Sequence, residues 1–264
     1  METIMNSRKI YIITHKDNSQ IPKAFNKNLY ELLNVNKLYP FYNRLFSEYS
    51  GMYYIWKNKI YSDYVGFCHY HRYIYEYNLL KNLTDNDYQI FHKQNVSISI
   101  VDHYKLCNIP DFITNDIIEF LKLNNISTNI VYEAPNLFYN RMIYYCNWNA
   151  FEKLMIFLNG FISFIKNKYN INSENDWKDH IINNIIMYYR DNYDSIIKSK
   201  IITYNTQILF QSIDDFNNIF NNDYGLNSYC NCWRIYAYNL ESLVSIFIRK
   251  HNPVYKDIIE EYSI

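Results

Sequence analysis

The sequence predicts an α/β protein with a mainly parallel sheet flanked by helices and a mostly helical C-terminal part. Three observations support this fold class. In the N-terminal half, apolar runs of strand length alternate with segments whose apolar residues recur at helical spacing. In the last third of the chain, helical patterns dominate. One apolar run, residues 64–68, ends abruptly in the polar sequence His-Tyr-His-Arg, as expected of a buried strand that delivers side chains to one edge of a sheet.

The strand patterns are clearest in the N-terminal half. Apolar and β-branched runs bounded by polar turns predict strands at 9–15, 64–68, 95–101 and 142–146, with a further strand around 201–203. Residues 21–40 are mixed and loop-like. Residues 77–81 and 87–91 are predicted to form short helices or turns.

Helical spacing predicts five longer helices. They cover residues 44–57, 110–124, 149–165, 176–189 and 234–251. The helix at 149–165 has two candidates for its N-cap, Asn147 and Asn149. Pro253 is expected to stop the last helix. We expect one domain over residues 1–200 and a helical extension over 201–264 that packs on it.

The composition argues against several classes of protein. The formal net charge is zero, with 26 Lys and Arg against 26 Asp and Glu, whereas binding to nucleic-acid phosphates needs a basic excess. No apolar stretch reaches the ~18 residues of a membrane span. Residues 1–9 lack the apolar segment of a secretion signal, so the 5 cysteines are expected to be reduced thiols in a cytoplasm.

Residue usage is strongly biased. The chain has 30 tyrosines and only 4 glycines, and it also favours Asn, Ile and Lys. These preferences match A/T-rich codons, as in a bacterium or a large DNA virus that replicates in host cytoplasm. The scarcity of glycine leaves no glycine-rich phosphate loop.

Two histidines and an arginine follow the predicted strand at 64–68. If the chain stays extended there, His69 and His71 share one face and Arg72 faces the other way, because side chains alternate along a strand. Two imidazoles on one face can bind a metal ion or transfer protons. Arginine binds phosphate or carboxylate through two hydrogen bonds. The alternative is a strand end whose polar side chains only contact solvent.

Charged residues elsewhere offer further candidates. Lys57 ends a predicted helix, where the helix dipole favours a cation even without a function. Glu48, a little over two helical turns earlier, is expected to face either the histidine cluster or solvent. Asp102 follows the predicted strand at 95–101, which makes it a candidate metal ligand. The sequence Asp-Asn-Asp at 85–87 also has the spacing of a cation site, but its polar surroundings predict a solvated turn.

Residues 47–77 resemble the signature of the family known as domain of unknown function 4422. Its members occur in gene clusters for capsular and exopolysaccharide biosynthesis and are regarded as glycosyltransferases. The matching residues are Glu48, Gly51, Tyr53, Trp56, Lys57, Asn58, Asp63, Tyr64, Gly66, His69, Tyr70, Arg72 and Tyr73. A later segment, 137–154, resembles the family's aromatic-Asn-Met strand and the long helix that follows it. His71 departs from the pattern, since the family usually has arginine at that place.

The resemblance implies a GT-A-like (Rossmann-like) catalytic domain over residues 1–200 that binds a nucleotide sugar and transfers its sugar to a glycan acceptor. The residues expected to bind the donor are His15, Lys57, Asp63, His69, His71 and Arg72. The residues expected to act in catalysis are Glu48, Asp102 and Glu133, and Asp102 is also the expected ligand of Mn²⁺ or Mg²⁺.

The resemblance does not decide how the donor diphosphate is bound. GT-A-like enzymes mostly hold it through an Asp-x-Asp motif and a divalent cation. Here His69, His71 and Arg72 offer cationic side chains that would neutralise it without metal. A lipid-linked acceptor would bring the protein to a membrane surface without a membrane span.

A second function is also compatible with the sequence. His71 and the absence of the family's late motif from residues 176–190 suggest a non-catalytic protein that binds glycans or nucleotide sugars on a transferase fold.

Overall fold

A computed structural model describes residues 7–17, 19–23, 25–69, 72–91, 98–106, 109–133, 142–192 and 234–255. The chain forms two compact units. The first comprises Met1–Val96, Asn136–Gly160 and Leu240–Ile264, and the second comprises Ser97–Pro135 and Phe161–Asn239. The predicted domain boundary at residue 200 falls outside the described residues and stays a prediction.

Six strands form one sheet in the first unit. They are β1 (Arg8–Thr14), β2 (Tyr30–Asn34), β3 (Tyr64–His69), β4 (Asp87–Ile90), β5 (Tyr144–Asn147) and β6 (Asn252–Tyr255). Their order across the sheet is β2-β1-β3-β5-β4-β6. β1 is parallel to β2 and β3, and β4 is parallel to β6, whereas β5 is antiparallel to both of its neighbours. The sheet is therefore only partly parallel, because β5 enters between β3 and β4 and runs against both.

The described helices complete an α/β architecture. In chain order they are α1 (Val35–Leu38), α2 (Pro40–Phe46), α3 (Tyr49–Lys57), α4 (Ile100–Leu106), α5 (Asp111–Leu123), α6 (Trp148–Lys168), α7 (Glu174–His180), α8 (Met187–Asp191) and α9 (Ile235–Arg249). A π-helical segment, Ile181–Ile186, joins α7 to α8. Among the residues that the structure describes, no helix is both long enough and apolar enough to cross a bilayer.

β1 is the central strand of the parallel part, and both of its faces are covered. Residues 10–14 are all buried. The face that includes Ile10 and Ile12 packs against the segment between β1 and β2 and against the segment after β3. α3 covers the other face at Gly51, where an added Cβ would lie only 3.0 Å from the Cδ1 atom of Ile13. The missing side chain at Gly51 therefore lets α3 approach β1 closely.

The predicted helix at 44–57 is divided into α2 and α3. Ser47 has a φ of 52° and a ψ of −127°, which no α-helical residue adopts. Its N–H closes α2 by donating to the carbonyl of Asn43 at 2.9 Å. The break places Glu48 immediately before the first residue of α3.

α6 begins close to the predicted position, and Asn147 is its cap. The Oδ1 atom of Asn147 accepts a hydrogen bond from the N–H of Ala150 at 2.8 Å, and its Nδ2 donates to Asp85 Oδ1 at 2.8 Å. Asn149, the other candidate cap, donates to Asp85 Oδ2 at 3.1 Å. Asp85 and Asn86 form an exposed turn, as predicted for the Asp-Asn-Asp sequence, whereas Asp87 begins β4.

A buried carboxylate holds the second unit together. Asp116 of α5 is fully buried and accepts hydrogen bonds from Lys168 Nζ and from the Tyr169 hydroxyl, both at 2.9 Å. The Tyr169 ring lies against His180, with 4.2 Å between ring centres. His180 Nε2 is 2.7 Å from the Tyr236 hydroxyl. These contacts join α5, the end of α6, α7 and the start of α9.

Several elements differ from the sequence prediction. β2 and α1 lie within residues 21–40, predicted to be loop-like, and β4 replaces the short helix or turn predicted at 87–91. The last two residues of the predicted strand 95–101 instead begin α4. β6 follows α9, where the sequence predicts no strand. The strand predicted at 201–203 lies outside the described residues.

Candidate functional site

The parallel strands β1, β2 and β3 end at the same side of the sheet, here named the carboxyl edge. In the strand register, Thr14 of β1 lies opposite Asn34 of β2, and Ile13 of β1 lies opposite His69 of β3. Thr14, Asn34 and His69 are therefore aligned, within one residue, across three adjacent strands. Ligands of open α/β sheets bind outside this edge.

The end of β1 carries a pair of hydroxyl groups. Thr14 Oγ1 lies 2.7 Å from Ser19 Oγ and also accepts a hydrogen bond from the N–H of Lys16 at 3.0 Å. Thr14 is buried and Ser19 is partly buried. The contact brings residue 19 back to the end of the strand. His15, a predicted donor-binding residue, lies in the first bend beyond β1 and is exposed.

Asparagine side chains fix the chain beyond β1 to the start of α1. Asn34 Oδ1 accepts hydrogen bonds from the N–H groups of Asn36 and Lys37, and Asn34 Nδ2 donates to Asp17 at 3.0 Å. Asn36 Nδ2 donates to the carbonyl of His15 at 2.7 Å. The backbone position of His15 at the carboxyl edge is therefore held by α1.

Glu48 and His69 meet at the carboxyl edge. Nδ1 of His69 lies 3.3 Å from Oε1 of Glu48, and the two side chains are only 14% and 13% exposed. The second carboxylate oxygen, Oε2, accepts a hydrogen bond from the hydroxyl of Ser47. An ionised carboxylate can only accept hydrogen bonds, so a favourable contact with His69 needs a proton on Nδ1. Of the two orientations expected for Glu48, the structure has the one that faces the histidine.

Arg72 lies beside the end of β3. The N–H of Arg72 donates to the carbonyl of His69 at 3.0 Å, and the two residues form an isolated antiparallel bridge. The condition of an extended chain from His69 to Arg72 is therefore not met. Arg72 is partly buried. His71 lies outside the described residues, and its role stays a prediction.

Asp63, a predicted donor-binding residue, lies at the opposite edge of the sheet. It immediately precedes β3, so about 20 Å of strand separates it from His69. Its Oδ2 accepts hydrogen bonds from the N–H and the hydroxyl of Ser7, at 2.6 and 2.8 Å. These hydrogen bonds lower the pKa of Asp63. The carboxylate therefore ties the start of β3 to the start of β1.

Lys57 also lies away from His69. It ends α3, about 13 Å along the helix from Glu48. Its side chain is exposed, and its ammonium group lies 5.4 Å from the centre of the Tyr53 ring. Lys57 and Asp63 lie at the ends of α3 and β3 that are far from the contact between Glu48 and His69. The structure therefore does not bring Lys57 or Asp63 to the carboxyl edge.

Asp102 and Glu133, predicted to act in catalysis, belong to the second unit. Asp102 lies in the first turn of α4, where the Ser99 hydroxyl donates to its Oδ2 at 2.7 Å and its N–H donates to Ser99 Oγ at 3.0 Å. These hydrogen bonds close the start of a helix. Asp102 therefore does not lie at a strand end, which was the reason for choosing it. Glu133 is exposed, and its N–H donates to the carbonyl of Asn129 at 3.0 Å.

The described residues do not fit the expected divalent cation. Among them, no three His, Cys, Asp or Glu side chains are close enough together to hold a metal ion. Oδ2 of Asp102, the expected ligand, accepts a hydrogen bond from the Ser99 hydroxyl. We therefore derive no step through a metal ion.

Three polar groups of the carboxyl edge are missing from the sequence prediction. Thr14 could have been predicted from the sequence, since it lies in a predicted buried strand next to His15. Asn34 could not, because β2 is not recognisable in the sequence. Nor could Ser47, since its hydroxyl reaches Glu48 only after a chain break that the helical spacing conceals.

No family model and no curated protein matches the chain. Among solved structures, the apo structure of the bifunctional glycosyltransferase WbbM is similar, with a TM-score of 0.45 and 14% sequence identity. The similarity covers 96% of this chain and 44% of the WbbM chain, so this chain spans less than half the length of that protein. A likeness at this level identifies neither a family nor a function.

Proposed function

We propose that the protein is a glycosyltransferase with a GT-A-like fold that moves a sugar from a nucleotide sugar to a glycan acceptor. The contact between Glu48 and His69 is the observation that carries the proposal. The two residues belong to separate parts of the signature that resembles domain of unknown function 4422, and they lie 3.3 Å apart at the carboxyl edge. Because ligands of open α/β sheets bind outside this edge, the contact favours a functional site over a packing motif.

In this proposal the donor diphosphate lies against the carboxyl edge beside His69 and Arg72. When the bond from sugar to diphosphate breaks, negative charge develops on the departing nucleoside diphosphate. A guanidinium and an imidazolium group stabilise that charge more strongly in the transition state than in the bound donor. Arg72 offers two parallel hydrogen bonds to phosphate oxygens. His15, at the end of β1, would contact the nucleotide.

The acceptor hydroxyl needs a general base to take its proton. The two residues that the sequence suggests for this role, Asp102 and Glu133, stay sequence-based predictions. The acceptor is proposed to be a surface glycan, carried on a lipid, that brings the protein to the cytoplasmic face of a membrane.

Removal of the guanidinium group of Arg72 tests the proposal. We expect Arg72→Ala to abolish sugar transfer and to weaken binding of UDP or GDP by roughly 10- to 100-fold, because charged hydrogen bonds to phosphate are lost. Isothermal titration calorimetry measures the affinity. The matched control is Arg8→Ala at the start of β1, whose partner is Glu76 at 3.7 Å. This control should keep the wild-type affinity. Equal affinities of Arg72→Ala and wild type for both nucleotides would refute the assignment.

Hydrolysis of the donor separates the enzyme from a non-catalytic binding protein. A transferase without acceptor is expected to release free sugar slowly from its own nucleotide sugar. Binding of a nucleotide sugar without hydrolysis or transfer, over a panel of donors, would support the non-catalytic alternative.

A further inference from the structure

Glu48 has a role that the proposed function alone does not assign. We propose that Glu48 is a positioning residue that acts through His69, and that it is not the base that deprotonates the acceptor. This inference rests on the proposed function, because the charge of His69 is taken to act on the donor diphosphate. It revises the sequence-based expectation that Glu48 acts directly in catalysis.

Both oxygens of the Glu48 carboxylate are already engaged. Oε1 lies 3.3 Å from Nδ1 of His69, and Oε2 accepts a hydrogen bond from Ser47. The side chain is 13% exposed. A general base must reach the proton that it removes within hydrogen-bond distance. A nearly buried carboxylate with both oxygens engaged is better suited to orient a neighbour than to meet an acceptor sugar.

The carboxylate gives the two ring nitrogens of His69 different roles. Glu48 can only accept a hydrogen bond, so the proton is held on Nδ1. A hydrogen bond at one ring nitrogen generally fixes the chemistry of the other in this way. Nε2 has no exposed surface, so His69 is proposed to act on the donor through the positive charge of the imidazolium ring at the carboxyl edge.

The backbone holds this pair in place from both sides. Glu48 lies at the start of α3, which is seated on β1 through Gly51 and the side chain of Ile13. His69 ends β3, and its register partner on β1 is also Ile13. The left-handed φ of Ser47 turns the chain so that the hydroxyl of that residue reaches the carboxylate. The carboxylate is thus fixed relative to the strand that carries the histidine.

The ring proton of His69 provides the first test. ¹⁵N NMR of the imidazole nitrogens, assigned with a His69→Gln variant, should show Nδ1 protonated in the wild type and in Glu48→Gln, whose amide oxygen still accepts. In Glu48→Ala, we expect the neutral ring to shift to the Nε2–H tautomer. The matched control is Glu31→Gln on β2, an exposed residue that pairs with Lys9 at 3.8 Å. An unchanged His69 tautomer in Glu48→Ala would overturn the inference.

Nucleotide binding provides the second test. UDP or GDP affinity should fall roughly 10- to 100-fold in Glu48→Ala and less in Glu48→Gln, while Glu31→Gln keeps the wild-type value. If Glu48→Ala does not fold, Glu48→Gln decides: its amide oxygen still accepts from Nδ1, so it should keep most of the wild-type kcat, and a loss of roughly 100-fold or more, as expected when a general base is removed, would contradict the inference. Failure of the wild type to bind any nucleoside diphosphate would refute the proposed function instead, and the NMR result is independent of that outcome.

Discussion

Ser47 adopts a backbone conformation, with φ 52° and ψ −127°, that glycine tolerates better than serine. We expect Ser47→Gly to be more stable than Ser47→Ala, because both lose the hydroxyl but only glycine relieves the strain. Relief contributes ~1–3 kcal/mol, and the flexibility of glycine in the unfolded chain costs ~0.5–1 kcal/mol. The expected difference in free energy of unfolding is therefore about 1 kcal/mol, measured by urea denaturation of both variants.

A second pair of variants controls for general effects of glycine. Ser163 is exposed in the middle of α6. At this position the Gly variant should have the lower free energy of unfolding, since glycine is about 1 kcal/mol less favourable than alanine inside a helix. If Ser47→Gly were about 1 kcal/mol less stable than Ser47→Ala, which is the difference expected at Ser163, the backbone at Ser47 would not be strained.

The signature at 47–77 could be recognised from the sequence, but it does not separate residues of the site from residues of the framework. Glu48, His69 and Arg72 lie at the carboxyl edge. Asp63 and Lys57 belong to the same signature, but they lie at the far ends of β3 and α3. Which residues of the signature come together depends on where α3 and β3 begin and end. The sequence pattern did not give those bounds, because it did not show the break at Ser47.

The side chain of Asn147 caps the N-terminus of α6. Asn147 Oδ1 accepts the N–H of Ala150, whereas Asn149 only donates to Asp85. We expect Asn147→Ala to lower the free energy of unfolding by about 1–2 kcal/mol, because it leaves a helix N-terminus uncapped. Asn149→Ala should change it by less than about 0.5 kcal/mol, since alanine favours the helix. Chemical denaturation compares the two, and equal losses would contradict the assignment of Asn147 as the cap.

Long elements could be predicted, and short ones could not. β1, β3, α5 and α6 follow their apolar patterns closely, because burial of a whole strand or helix face leaves a clear period. β4 has only four residues, and its central Gln89 is buried, with Oε1 accepting from the N–H of Leu80 at 2.9 Å. A buried polar residue with hydrogen-bond partners removes the pattern that identifies a strand. β2 is also short, and it alternates too little to be recognised.

At the scale of the whole molecule, the alternation of strands and helices predicts the α/β class but not the direction of every strand. β5 runs against its neighbours, although its own sequence has the features of any buried strand. Direction depends on where the preceding segment ends, which local patterns do not record. The division into units is equally non-local: the first unit has three chain segments and the second has two.

The second unit contains a buried histidine that makes stability depend on pH. Burial lowers the pKa of His180 from 6.5 to about 4. The unfolded chain therefore takes up a proton at this residue more readily than the folded chain. The stability that neutral His180 contributes is fully present above pH 6.5 and is lost as the pH falls toward 4. Burial raises the pKa of Asp116, which gives a contribution of the opposite sign.

A His180→Gln variant isolates the histidine from Asp116. Between pH 6.5 and 4, the wild type should lose about 3 kcal/mol more unfolding free energy than the variant, since each pKa unit corresponds to about 1.4 kcal/mol. Urea denaturation over that pH range measures both slopes. Hydrogen exchange should show amides of α7 losing protection first in the acidified wild type. Parallel slopes for wild type and His180→Gln would show that this histidine does not limit the stability of the protein in acid.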